Sequence, residues 1–354
     1  MIFKNVVLEG IEAYLSDEIF TSDQIESQLD EVYTKLNLPQ GRLELMTGIT
    51  ERRVWPSKTR PSDIASMAAQ KLIKKLTEEE SICDQNDFDQ LIHASVCRDF
   101  LEPSTASVIH KNLNLKQEVI IFDLSNACLG VVSAMTMVSQ LIESGAIKRA
   151  LIVSGENATP LIEETIKQLI QKVNRDEINR KSIKKYLANL TIGSAAMAIS
   201  LCHKSLSPKN KPLIQSSYTL TDSSANHLCQ GDGDTSALMM ETDSEALMQA
   251  GVKLAKKSWS QYQAMMLENN LTTTPDWVIT HQVGVAHDKL TRETLNIGDI
   301  KTHKTYPKMG NTGSAALPLT LWDLLSQKKV SPREHIALLG IGSGLTSTIM
   351  GLQC

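Results

Sequence analysis

With 354 residues, 42% of them apolar, and a net charge of −4, the chain can bury a substantial core and amounts to about two domains of ~150 residues. No basic cluster is interleaved with aromatics, which excludes a nucleic acid as the main partner. No apolar run approaches the ~18 residues of a membrane span, acids come too early for a signal peptide, and six scattered cysteines form no C-x-x-C pair; a soluble cytoplasmic protein with reduced thiols is expected.

In chain order, an opening strand precedes a capped helix start at Ser22-Asp23-Gln24-Ile25-Glu26. A second helix follows Arg60-Pro61-Ser62-Asp63 and carries Ile64, Met67, Ala68, Leu72 and Ile73. Leu91-Ile92-His93-Ala94-Ser95-Val96 reads as a strand, a helix follows Pro103, and a further strand ends at Phe122. The chain then breaks at small and polar residues, presents Cys128, and enters a helical pattern through Val131, Val132, Ala134, Met135, Val138, Leu141 and Ile142. Ala150-Leu151-Ile152-Val153-Ser154 is the next strand. Residues 161–189 interrupt this rhythm as an amphipathic, charge-rich and solvated helical excursion. The sheet pattern returns at Gly193-Ser194-Ala195-Ala196-Met197-Ala198-Ile199. A long helix over 245–266, a strand over 277–281, a helix through Leu290 and a Gly-rich turn opening a helix over 311–325 follow. Ile336-Ala337-Leu338-Leu339-Gly340 reads as the last strand. Such alternation predicts an α/β protein of βαβ units around a largely parallel sheet. Two similar halves, 1–200 with the excursion and 201–354, fit better than one continuous domain.

Three segments place reactive polar groups at strand ends or turns, where α/β proteins build their sites. Cys128 stands at a strand-to-helix turn, at the positive end of the helix dipole, which predicts a lowered thiol pKa. Val278-Ile279-Thr280-His281-Gln282 presents His281, and Gly310-Asn311-Thr312-Gly313 presents Asn311 between glycines. Singly, these have plainer readings: a buried structural thiol, a satisfied strand-end histidine, a turn asparagine. Together they offer a nucleophile and two donors for a developing oxyanion.

These residues carry a resemblance that spans nearly the whole chain. With Thr47-Gly48-Ile49, Arg52-Arg53, the run from Arg98 through Leu101-Glu102-Pro103-Ser104-Thr105-Ala106-Ser107, and the terminal Gly340-Ile341-Gly342-Ser343-Gly344-Leu345, the sequence resembles thiolase-superfamily condensing enzymes of the β-ketoacyl synthase III type. Within that group it is most similar to the acyl-CoA condensing enzymes that open bacterial head-to-head olefin synthesis. The resemblance implies a thiolase-like fold, duplicated βαβ halves in a five-layered αβαβα sandwich, and a homodimer. It implies that Cys128 holds an acyl group and that His281 and Asn311 polarise the thioester carbonyl of a second acyl donor. The backbone N–H groups of Cys128 and Ser343 would stabilise the tetrahedral intermediate.

Glu102 decides the reaction type. Malonyl-using synthases make their carbanion by losing carbon dioxide, whereas joining two ordinary acyl-CoAs requires removal of an α-proton. In the olefin-type enzymes the glutamate matching Glu102 is that base and reaches across the dimer. The plainer alternative is that Glu102 caps the helix after Pro103. The family's Trp/Arg clamp on the coenzyme A adenine is missing, its positions being Arg42 and Met46; Arg52, Arg53 and Trp55 are the remaining coenzyme A contacts to consider, with an acyl carrier protein as the other donor. Met135, Met137, Met239 and Met240 suit either a plastic acyl channel or ordinary packing.

Other signals are discounted. Gly340-x-Gly342-x-Gly344 leaves no room for a dinucleotide-binding unit, Gly231-Asp232-Gly233-Asp234 lacks the length of a calcium loop and reads as a turn, and His281 and His287 are not spaced as zinc ligands on a helix. No metal and no permanently bound cofactor is implied; coenzyme A enters as substrate carrier. The leading reading is non-decarboxylative Claisen condensation of two acyl-CoAs, followed by a decarboxylative malonyl-dependent synthase. A cysteine peptidase lacks its local signature around Cys128, and a catalytically silent binding subunit is at odds with the intact Cys/His/Asn set.

Overall fold

β1 (Val6–Tyr14) is buried along nearly its whole length, as a strand is when it has neighbours on both edges and cover on both faces. It is the middle strand of a nine-stranded sheet in the computed structural model, which describes residues 1–208, 210–232 and 239–354. The main elements that follow are α1 (Pro61–Lys74), β2 (Gln90–Ala94), α2 (Thr105–Asn112), β3 (Ile120–Leu124), α3 (Gly130–Glu143) and β4 (Arg149–Glu156). Then come α4 (Thr159–Asn174), β5 (Ala195–His203), β6 (Leu213–Thr221), α5 (Ser244–Glu268), β7 (Trp277–Thr280), α6 (Val285–Thr294), α7 (Ala316–Ser326), β8 (His335–Gly342) and β9 (Thr346–Gln353). The strand order is β7-β8-β9-β6-β1-β5-β4-β2-β3.

β1 and β6 share the single pair Val7↔Leu213, so the sheet is two half-sheets barely joined. β2 runs parallel to β3 and β4, and β7 parallel to β8, while β1, β5, β6 and β9 pair antiparallel. The sheet is therefore mixed rather than largely parallel. The sequence pattern passed over β6 (LIQSSYTLT) and β9 (TSTIMGLQ), whose Ser and Thr blur the apolar alternation. Those hydroxyls pair across the ladder instead, as Thr219 with Thr348 at 3.0 Å.

Three apolar clusters define the layers. α1 and α2 cover one half-sheet, with Ala68, Leu72 and Ile109 against Leu91 and Leu151. α3 and α7 lie between the half-sheets, Val132, Met135, Leu317 and Leu321 packing with Ile92, Ile199 and Leu338. α5 covers the far face, Leu254 and Trp259 against Val278, Leu339 and Ile349. Helix, sheet, helix, sheet and helix make the expected five layers. The excursion is not merely solvated: Ile162, Leu169, Ile183 and Tyr186 form a fourth cluster with Ile25 and Leu29. The first helix is capped one residue earlier than expected, by Thr21, whose hydroxyl accepts from the Gln24 N–H. Met67 is exposed, Met135 is core, and Met137 packs against that core. Gly233, Asp234 and the Met239 side chain lie outside the described residues. No described helix is long and apolar enough to cross a membrane.

Close approach of α1 to β4 depends on Gly155, where a Cβ would lie 2.2 Å from the Pro61 carbonyl oxygen. Gly155→Ala is expected to cost about 1–3 kcal/mol through overpacking, read as a lower denaturant midpoint with an unchanged slope. A wild-type midpoint would contradict this packing.

Candidate active site

Between β3 and α3 the chain must turn out of the sheet. Ala127 does this at φ +45°, a left-handed conformation that costs a non-glycine residue about 1–3 kcal/mol. Asn126 Nδ2 donates to Ser133 Oγ at 2.8 Å and ties the turn to the start of α3. Buried Leu129 then seats against β8. A Cβ at Gly340 would lie 2.3 Å from Leu129 Cδ2, and one at Gly342 would lie 3.0 Å from its Cγ. This seating brings the Cys128 turn beside Ser343, whose N–H donates to no atom among the described residues. On the other flank Gly130 approaches Ser314, 3.4 Å from where a Cβ would stand.

The thiol does not behave as its helix-terminal position predicts. Burial, and then the charge of Glu156 and the neighbouring Cys229, push Cys128 up to about 12. The lowered pKa expected from the helix dipole is thus overturned. Desolvation of a thiolate and a nearby carboxylate outweigh a dipole worth ~0.3–1 kcal/mol at an ordinary site.

His281 follows β7 and is locked from both sides. Thr280 Oγ1 donates to Asp288 Oδ1 at 2.7 Å; Gln282 Nε2 donates to the Thr280 carbonyl at 2.7 Å, and its Oε1 accepts from the N–H groups of Thr305 (2.9 Å) and Tyr306 (3.3 Å). Gln282 thereby joins the His281 turn to the segment leading into Asn311. Burial lowers the imidazole to about 3, with a smaller contribution from His287, so the ring is neutral and acts as an N–H donor.

Asn311 is held by its backbone, donating to the Thr191 carbonyl (2.9 Å) and accepting from the Gly193 N–H (3.0 Å). Gly193 is obligatory, because a Cβ there would lie 1.9 Å from the Met309 carbonyl oxygen. Asn311 Oδ1 accepts the Gly313 N–H at 3.2 Å, which leaves Nδ2 to donate outward. Cys128, His281 and Asn311 thus stand each on its own braced turn, as one thiol and two neutral donors.

Glu102 is exposed and beside exposed Leu101 (83%), at the tip of the arm 96–104. It does not cap α2. The helix N-terminus is capped by Asp123, which accepts from the N–H groups of Thr105 (2.7 Å) and Ala106 (2.8 Å). Arg52 is fully buried, its guanidinium on the Phe20 carbonyl and Ser22 Oγ, and Trp55 is buried and stacked on Tyr14. Neither presents a face to coenzyme A, which corrects that expectation. Arg53, half-buried, reaches the carbonyls of Ser16 and Asp17. Sequence reasoning missed Glu156, a buried carboxylate between the arm and the Asn311 turn; its only signal was an acid ending an apolar strand.

The model of 3-oxoacyl-[acyl-carrier-protein] synthase III matches residues 122–171, and that of the synthase III C-terminal part matches residues 268–354. An acyl-CoA:acyl-CoA alkyltransferase of Shewanella oneidensis is 34% identical over 360 residues, covering 100% of both chains. The chain belongs to the β-ketoacyl synthase III-like condensing enzymes of the thiolase superfamily. A second condensing enzyme of this group, the acyl-CoA:acyl-CoA alkyltransferase of Xanthomonas campestris, is 31% identical over 99% of this chain and 98% of its own. Xanthomonas campestris OleA, in the crystal structure of a Cys-to-Ala variant, matches with a TM-score of 0.90 at 30% identity over 100% of this chain and 98% of its own. OleA has also been solved as glutamate and histidine variants, with cerulenin, and with lauric acid and lauroyl-CoA. The fold of this condensing enzyme is thus thiolase-like.

A raised thiol pKa has a direct readout. Alkylation of Cys128 by iodoacetamide is expected to keep accelerating past pH 10, whereas a free thiol levels off above ~8.5. A plateau near neutral pH would contradict the burial and the Glu156 charge.

Proposed function

We propose that this enzyme joins two fatty acyl-CoA thioesters by non-decarboxylative Claisen condensation. The observation that carries the reading is the arm. Asp123 holds its exit, Asp99 accepts from the Ser62 N–H (2.9 Å) and hydroxyl (2.5 Å) at its middle, and Glu156 holds its root. A loop braced at three points carries an exposed carboxylate that makes no hydrogen bond or ion pair among the described residues. The unpaired edge of β3 lies in the same region of chain, with Ile120 exposed, and the arm adds exposed Val96, Phe100 and Leu101. Apolar surface along a free strand edge fits a second copy of this chain, which would receive Glu102 beside its own Cys128.

In the first half-reaction the Cys128 sulfur attacks the thioester of one acyl-CoA, and coenzyme A leaves with the thiol proton. The N–H groups of Cys128 and Ser343 take the oxyanion. The second acyl-CoA then places its carbonyl oxygen against His281 and Asn311 Nδ2. Glu102 removes the α-proton, the carbanion attacks the acyl-Cys128 carbonyl, and the cysteine sulfur leaves as thiolate and regains its thiol proton from protonated Glu102, which restores the base. Neutral donors suit this sequence, because an imidazolium would protonate the enolate it should only stabilise. The relatives' names and the cysteine, glutamate and histidine varied in OleA support the same assignment. A malonyl-dependent reaction has no use for the arm's carboxylate.

Myristoyl-CoA alone is expected to release coenzyme A and yield a β-keto product. A requirement for a malonyl thioester would defeat the reading. Glu102→Gln should still form acyl-Cys128 by intact mass while condensation falls about 10²–10⁴-fold; undiminished condensation would remove Glu102 from the mechanism.

A further inference from the structure

Glu156 ends β4 and is 4% exposed, yet no step of the reaction uses it. Its carboxylate is matched by N–H and O–H groups rather than by a cation. Oε1 accepts from the Val96 N–H (2.9 Å), the Ser314 N–H (3.1 Å) and the Ser314 hydroxyl (2.6 Å); Oε2 accepts from the Cys97 N–H (3.1 Å). Val96 and Cys97 are the root of the arm that ends in Glu102. Ser314 stands three residues after Asn311, and the intervening Gly313, at φ +58°, packs tightly on the acid, since a Cβ there would lie 3.1 Å from Glu156 Oε1.

We propose that Glu156 is a positioning residue of the condensation step, holding the Asn311 turn and the root of the Glu102 arm in one fixed arrangement. The inference rests on the functional reading above. Its chemistry is specific to a carboxylate, because only an acceptor with two oxygens and no hydrogens can take four donors from two segments at once. A glutamine offers one oxygen, and its NH₂ would face the Cys97 N–H. Burying an anion without a cation is costly, and no packing need on β4 demands it. In the proposed dimer the arm serves the partner's site while the Asn311 turn serves its own. One carboxylate then joins the geometry of both sites. Its charge also raises the Cys128 thiol, which gives the test a second readout of opposite sign.

The experiment compares Glu156→Gln, Ser314→Ala and the double variant in the full-length protein. Condensation of myristoyl-CoA by Glu156→Gln is expected to fall roughly 10–100-fold in kcat, the scale of an ångström-sized misplacement. Its Cys128 alkylation profile should move to lower pH, while Ser314→Ala, which keeps the charge, should lose turnover with that profile unmoved. The double variant should lose no more than Glu156→Gln alone, because both changes cut the same tether. Wild-type kcat in Glu156→Gln, an unmoved alkylation profile, or losses that multiply in the double variant would each overturn the proposal. Absence of β-keto product with the wild-type protein would instead defeat the functional reading, before any variant is compared.

Discussion

Four hydrogen bonds converge on the buried carboxylate of Glu156 and tie the arm root to the Asn311 turn. β4 delivers the acid, the arm root and the Asn311 turn supply the donors, and the Cys128 turn lies within reach of its charge. Each hydrogen bond to a charged acceptor is worth ~1.5–3 kcal/mol, enough to hold two irregular segments in one arrangement. Glycines complete the constraint from the other side. Gly193, Gly340 and Gly342 are narrow because Met309 and Leu129 occupy the space that a side chain would need.

The electrostatics that result suit carbon–carbon bond formation. The thiol is held protonated at rest and the histidine neutral, each by burial first. In the proposed mechanism these neutral donors polarise two thioester carbonyls in turn without offering the enolate a proton. The only carboxylate proposed to handle protons, Glu102, is exposed instead, on the arm 96–104.

The sequence was informative where local chemistry and tertiary role agree. The Cys128 turn, the strand before His281 and the Gly-flanked Asn311 were legible as reactive groups at strand ends, and the apolar periods of α1, α3, α5 and α7 located the helices. β6 and β9 were not, because their Ser and Thr satisfy one another across the ladder instead of showing an apolar face. The thiol pKa was misjudged for a related reason: a helix end is visible in sequence, but the burial that opposes it, and after it the carboxylate arriving from β4, come only with the fold. Arg52 and Trp55 looked available for coenzyme A as residue types, and only tertiary packing turns them inward. Glu156 showed only as an acid ending an apolar strand, because its importance lies in what other segments donate to it.

The central claim is that one condensation site is built from two chains, with Cys128 from one and Glu102 from the other. Co-expressing a Cys128→Ser chain with a Glu102→Gln chain, differently tagged so that the mixed dimer can be isolated, tests it directly. Cys128→Ser alone should condense no myristoyl-CoA and Glu102→Gln alone about 10²–10⁴-fold less than wild type, and the mixed dimer should regain turnover at one site per pair. A mixed dimer as silent as its parents would show that Glu102 does not work across the interface.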